Sequence, residues 1–166
     1  MTFDIIPAGT SVFLDANSLV YAFSSDPRFG TPCQRLLKRM ENKELQGITS
    51  SHVLAEMAHR LMTLEAAANL GRPLTGLANW LKRHQPEVQG LSLFRHAIDD
   101  LSAIPISILA VTGPNVSLAA DVSKLYGLLT NDALIVVLMQ QNGLTCLASN
   151  DSDFDQMPGI TRYAPR

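Results

Sequence analysis

The sequence predicts a single α/β domain, a three-layer α/β/α arrangement around a central parallel sheet, on three observations. Short apolar runs of strand length alternate with longer stretches of helical periodicity along the chain. Strands separated by helices imply parallel pairing, with helices on both faces of the sheet. A chain of 166 residues suits one domain, 1–166, with a core spanning about 12–163, and no repeat, low-complexity tract or linker divides it.

The elements follow in order. Val12 to Leu14 is a short apolar run ending at Asp15 and reads as a buried strand. Leu19, Val20 and Phe23 recur at helical spacing, and Pro32 opens a second helix continued by Leu36, Leu37 and Met40. Gly47-Ile48-Thr49 is a brief strand. Ser50 or Ser51 caps a helix whose stripe is Val53, Met57, Leu61 and Leu64. Gly71, Pro73 and Gly76 break the pattern, and Leu77 to Ala103 is helical with an interruption near Pro86 and Gly90. Ile104 to Val111 reads as a strand, and Gly113-Pro114 opens a helix running through Tyr126. Thr130 is placed as the cap of an apolar helix from Asn131 to Gln141, closed by Asn142-Gly143. Thr145 to Ala148 is a strand, Asp151 to Met157 a turn or short helix, and Ile160 to Tyr163 a last strand.

Composition excludes several classes. The chain is 46% hydrophobic, as globular proteins are, and no apolar run approaches the roughly 20 residues that span a bilayer. No Lys or Arg precedes Arg28, so the basic start of a secretory signal is missing and a cytoplasmic location is expected. Cys33 and Cys146 are too few for a disulfide framework or a zinc site and read as buried small hydrophobes. Net charge is −2, which argues against a surface coated in basic residues. Yet residues 28–95 hold ten bases and five acids, while 1–27 hold three acids and no base, and 96–166 three bases and seven acids. Two readings fit: scatter over solvated faces, or an acidic metal pocket fed by a basic substrate track.

Four carboxylates stand out. In open α/β sheets ligands bind beyond the carboxyl ends of the strands. Asp15 ends one predicted strand and Asp151 follows another, while Glu56 and Asp132 lie on helices that can reach the same rim. Each also has an ordinary role, as a turn, a cap, a helix first-turn acid or a solvated helical residue. But Asp15 sits in the nearly apolar Val12-Phe13-Leu14-Asp15-Ala16, and Asp132 between Leu128-Leu129 and Ala133-Leu134-Ile135. Carboxylates about 5 Å apart at an effective dielectric near 20 repel by about 3 kcal/mol per pair. A hard divalent cation relieves that repulsion, and Mg²⁺ or Mn²⁺ suits oxygen ligands better than zinc.

Asp15-Ala16-Asn17 after a strand, Ser50 to Glu56, Leu129 to Ile135 and Ser149 to Phe154 together resemble the successive motifs of PIN domains, which include the VapC-type toxin ribonucleases. The resemblance runs from Val12 to about Tyr163 and implies metal-dependent cleavage of RNA. It implies Asp15, Glu56, Asp132 and Asp151 as acidic ligands, Asp153 as a substitute or outer helper of Asp151, and Asn17 as support for Asp15. It further implies a small antitoxin protein as a partner, and a homodimer is compatible with it. The stretch from Gly71 to Ala103 is longer than in compact toxin members.

Arg35, Lys38 and Arg39, and Lys82 and Arg83 beside Trp80, are candidates for the RNA track or else solvated helical faces. His52, Glu56 and His59 do not make a zincin site, because the pattern requires His where the chain has Ala55. Two rival functions remain. A haloacid-dehalogenase-type phosphatase also starts from an Asp after a strand but needs an acid where Asn17 stands. A catalytically silent PIN-like module would bind RNA or protein without cleaving.

Overall fold

The computed structural model describes residues 1–166. Five parallel strands form its centre: β1 (Ser11–Leu14), β2 (Gln46–Ser50), β3 (Ile106–Leu109), β4 (Cys146–Ala148) and β5 (Thr161–Tyr163), in the order β3-β2-β1-β4-β5. The intervening helices are α1 (Ala16–Phe23), α2 (Gly30–Glu41), α3 (Ser51–Leu70), α4 (Leu77–Leu81), α5 (Gln85–Gln89), α6 (Leu93–Ala103), α7 (Gly113–Tyr126) and α8 (Thr130–Gln141). Val12, Phe13 and Leu14 are all fully buried, as expected of a central parallel strand covered on both faces. The expected α/β class is therefore what the chain adopts.

Strand order explains where a site can form. From β1 the chain moves one way to β2 and β3, and the other way to β4 and β5. That reversal opens a crevice beyond the carboxyl ends of β1 and β4. α1 and α3 begin at this edge because each follows a strand directly, and α8 begins there because its far end feeds β4.

Most predicted elements stand within a residue or two of their observed bounds, with three differences. Residues before Val12 carried no predicted element, but Phe3–Ile5 forms a 3-10 helix and places Phe3 and Ile6 in the main core. Thr130 is not a cap: it is already helical, and the N-cap is Leu129, extended and without a side-chain bond to the helix. The interrupted helical stretch resolves into α4, α5 and α6, where Leu77, Leu81 and Leu91 join Ala66 in a small second cluster against α3. Cys33 and Cys146 are free and buried.

Candidate metal centre

The first carboxylate is fixed by the chain around it. Asp15 follows β1 and caps α1, its Oδ1 accepting from the Ala16 backbone N–H at 2.6 Å. Its Oδ2 accepts from Ser149 Oγ at 2.6 Å and from Asn17 Nδ2. Only 7% of Asp15 is exposed. Burial pushes its pKa up to about 6, the Ser149 and Ala16 hydrogen bonds pull the other way, and Glu56 adds to the rise while Arg60 reduces it.

Ser149 joins β1 to the Asp151 loop. Besides holding Asp15, its Oγ accepts from the Asp151 backbone N–H at 3.0 Å and from Asn17 Nδ2 at 3.1 Å. Asn17 Oδ1 accepts from the Asn150 backbone N–H at 3.0 Å. Asp151 then caps a 3-10 helix (Ser152–Gln156), accepting from the Asp153 backbone N–H at 2.9 Å. Asn17 is thus occupied as an amide brace between two loops, which leaves no general acid where the phosphatase chemistry requires one.

The opposite wall comes from α3 and α8. Asn131 Nδ2 donates to Glu56 Oε2 at 3.1 Å, and Arg60, one turn on, lies 3.7 Å from Glu56 Oε1. His52 fastens the two helices together, with Nε2 3.3 Å from the Asn131 carbonyl and Nδ1 2.8 Å from Ser50 Oγ. A carbonyl only accepts, so Nε2 carries the proton and Nδ1 receives the Ser50 hydroxyl. Burial lowers the His52 pKa, consistent with this neutral tautomer.

Asp132, in the first turn of α8, completes the rim. Its pKa is pushed up to about 6, first by burial and then by Asp15, Asp151, Glu56 and Asp153 in turn. All five candidate acids therefore share one electrostatic neighbourhood, Asp153 from an exposed position. No three His, Cys, Asp or Glu side chains close round a single point in coordinating geometry. The donor chemistry nevertheless fits a hard divalent ion, being entirely carboxylate oxygen under mutual repulsion.

The basic candidates stand elsewhere. Arg35 pairs with Asp4 at 3.3 Å and Lys38 with Glu41 at 2.8 Å. Arg39 was expected to be exposed, but its side chain is only 18% exposed. Its guanidinium donates to the Phe3 carbonyl at 2.9 Å, the Ile6 carbonyl at 2.6 Å and Glu44 Oε1 at 2.7 Å. That residue is a structural tie at the amino ends of the strands, the edge opposite the carboxylates. Lys82 and Arg83 are exposed beyond α4, and Trp80 stacks on His84 at 3.6 Å with Arg72 over its ring at 4.4 Å. This unit packs on α3 around Ala66, ten residues and about 15 Å of helix beyond Glu56. Ser149, Asn131 and Arg60 were not singled out from the sequence, and His52 was weighed only as a zinc ligand, since their roles depend on contacts across the fold.

The chain is thus a five-stranded parallel α/β fold with an acidic rim at its switch point. The PIN domain family model matches residues 12–160. The chain belongs to the PIN domain family, a family of nucleases. Similar solved structures include a toxin–antitoxin complex from Klebsiella pneumoniae, with 17% identity, 90% of this chain and 95% of that chain covered, and a TM-score of 0.53. VapBC2 from Rickettsia felis, bound to a DNA fragment from its promoter, shares 19% identity over 93% of this chain and 98% of that one, with a TM-score of 0.54. PAE2754 from Pyrobaculum aerophilum shares 18% identity over 93% and 91%, with a TM-score of 0.52. No curated protein matches the sequence significantly.

Proposed function

We propose that this chain is a cytoplasmic, divalent-metal-dependent endoribonuclease that hydrolyses phosphodiester bonds in RNA, acting as the toxin of a toxin–antitoxin pair. The observation that carries the reading is Asp132, a half-buried acid at the switch-point rim on which four more carboxylates act. Asp15, Glu56, Asp132 and Asp151 would hold Mg²⁺ or Mn²⁺, with Asp153 in an outer position. When bound, such an ion supplies Lewis-acid stabilisation of a phosphoryl group and acidifies water.

The remaining contributions belong to the chain. Ser149 and Asn17 hold Asp15 Oδ2, and Asn131 holds Glu56 Oε2, so two acids are oriented before substrate arrives. No Ser, Cys or His nucleophile is required, because water is the attacking group. A small antitoxin protein is the partner that would silence the rim, and self-association into a homodimer is part of the same reading. Leu125 and Leu129, 74% and 78% exposed next to α8, offer an apolar surface for such contacts. No single helix is long and apolar enough to cross a membrane.

The test is incubation of labelled single-stranded RNA with the protein in Mg²⁺, in Mn²⁺ and in excess chelator, alongside Asp15→Asn. Cleavage is expected only for the unaltered chain with metal. Full cleavage in chelator, or by Asp15→Asn, would overturn the assignment.

A further inference from the structure

The loop joining α1 to α2 is braced more heavily than a surface connection needs. Ser25 has a φ of 51°, a left-handed conformation that costs a residue bearing a Cβ. Asp26 Oδ1 accepts from the backbone N–H groups of Arg28 at 2.9 Å and Phe29 at 2.8 Å. A Cβ on Gly30 would lie 3.1 Å from the Ser25 carbonyl carbon and 3.2 Å from the Tyr21 carbonyl oxygen. Both are backbone atoms, so a side chain there would push the start of α2 away from α1.

What these devices fix is a small aromatic and cationic cluster. The Phe29 ring lies 5.0 Å from that of Tyr21, tilted by 43°, and the Arg28 guanidinium sits 4.8 Å over Phe29. Both rings are partly exposed and Arg28 is exposed. Arg28 joins none of the ion pairs of the fold, unlike Arg35, Lys38 and Arg39. The cluster is also tied to the acidic rim. Asn150 Nδ2 donates to Tyr21 Oη at 3.4 Å, while the Asn150 backbone N–H is held by Asn17. Asn150 lies between Ser149, which holds Asp15, and Asp151.

We propose that Tyr21, Phe29 and Arg28 form a nucleotide subsite beside the rim, in which Phe29 stacks a base of single-stranded RNA and Arg28 meets the adjacent phosphate. An aromatic face accepts any unpaired base, and a planar guanidinium without an acid partner is suited to phosphate. The choice of RNA as ligand rests on the ribonuclease reading.

The experiment measures binding of a short fluorescent single-stranded RNA in chelator, so that binding is read apart from cleavage, across a salt series. Phe29→Ala is expected to weaken binding about tenfold, and Phe29→Trp to restore it. Arg28→Gln, an exposed change that spares the fold, should lower the slope of log affinity against log salt by about 0.7. A strand with abasic sites should bind the unaltered protein about as weakly as normal RNA binds Phe29→Ala, and should lose little further on that variant. Unchanged binding in both variants, equal binding of the abasic strand, or no RNA binding by the unaltered protein overturns the subsite, whether or not metal-dependent cleavage is seen. The expected binding pattern without any cleavage in Mg²⁺ or Mn²⁺ supports the subsite and removes the ribonuclease reading instead.

Discussion

At the amino ends of the strands, Arg39 spends its guanidinium on two backbone carbonyls and Glu44. At the carboxyl ends, Asp132 faces four other carboxylates and has no partner among the ion pairs. Both are partly buried charged groups, at opposite edges of the same sheet. The first is satisfied by the chain itself and therefore holds it together. The second is left unbalanced, and a group that the fold does not satisfy is one that a ligand can.

The largest effect expected from this contrast is at the amino edge. Arg39→Ala leaves the Ile6 carbonyl and Glu44 without their donor and the Phe3 carbonyl with only the Ile6 backbone N–H, so thermal or denaturant unfolding should show a loss of about 3 kcal/mol. RNA affinity per folded molecule should not change. If stability holds and RNA binding falls, Arg39 belongs to a substrate track after all.

The same kind of change at the carboxyl edge should have the opposite sign. Burial and the neighbouring carboxylates raise the Asp132 pKa from its ordinary 3.8 to about 6 in the folded protein, so the native state binds the extra proton between those values. Its favourable contribution is complete below about pH 4 and is lost as pH rises through about 6. In metal-free buffer at pH 7.5, Asp132→Asn should therefore stabilise the protein by about 2 kcal/mol, once solvent screening of this half-exposed group is discounted from the full shift. The gain should vanish near pH 4, and the stabilisation from added Mg²⁺ should shrink. A lower metal-free melting temperature with an unchanged Mg²⁺ response would make Asp132 an ordinary helix-start acid.

The smallest effect belongs to the exposed pairs. Reversing Arg35 and Lys38 to Glu removes two surface ion pairs that contribute at most about 1 kcal/mol each. RNA binding and its salt slope should barely move, because both residues sit on the helix whose end meets the amino edge. A clear drop in the slope would show that RNA wraps round to that edge.

The contrast also separates what a sequence discloses from what it conceals. Asp15 was legible because its signal is local: a buried strand, then an acid in apolar surroundings at the strand's carboxyl end. Asp132 was legible for the same reason, as an acid inside an apolar helix. Ser149 was not, because its bond to Asp15 spans 134 positions and a serine after a strand has many uses. Arg39 resembled its neighbours Arg35 and Lys38 because helical spacing does not show which basic side chain meets a free carbonyl. The Leu129 cap was concealed by Thr130, whose side chain is the better capper, although the backbone turns one residue earlier. The fold, set by periodicity, was the easier part to read; the side chains that hold the rim carboxylates, set by long-range contacts, were the harder.

The two thiols offer a way to time how this molecule opens. Cys33 on α2 and Cys146 on β4 are 1% and 5% exposed, and burial pushes both pKa values up to about 12. At pH 8 the reactive thiolate is then on the order of one molecule in ten thousand. A thiol reagent must therefore wait for the surrounding structure to part, and its rate of uptake counts those openings. One thiol samples the helix that leads into β2, the other the strand whose end carries Ser149. Equal labelling rates would mean that the molecule opens as a whole. Faster uptake at Cys146 would mean that the strand under the acidic rim breathes on its own, and cations that bind the rim should slow that clock alone.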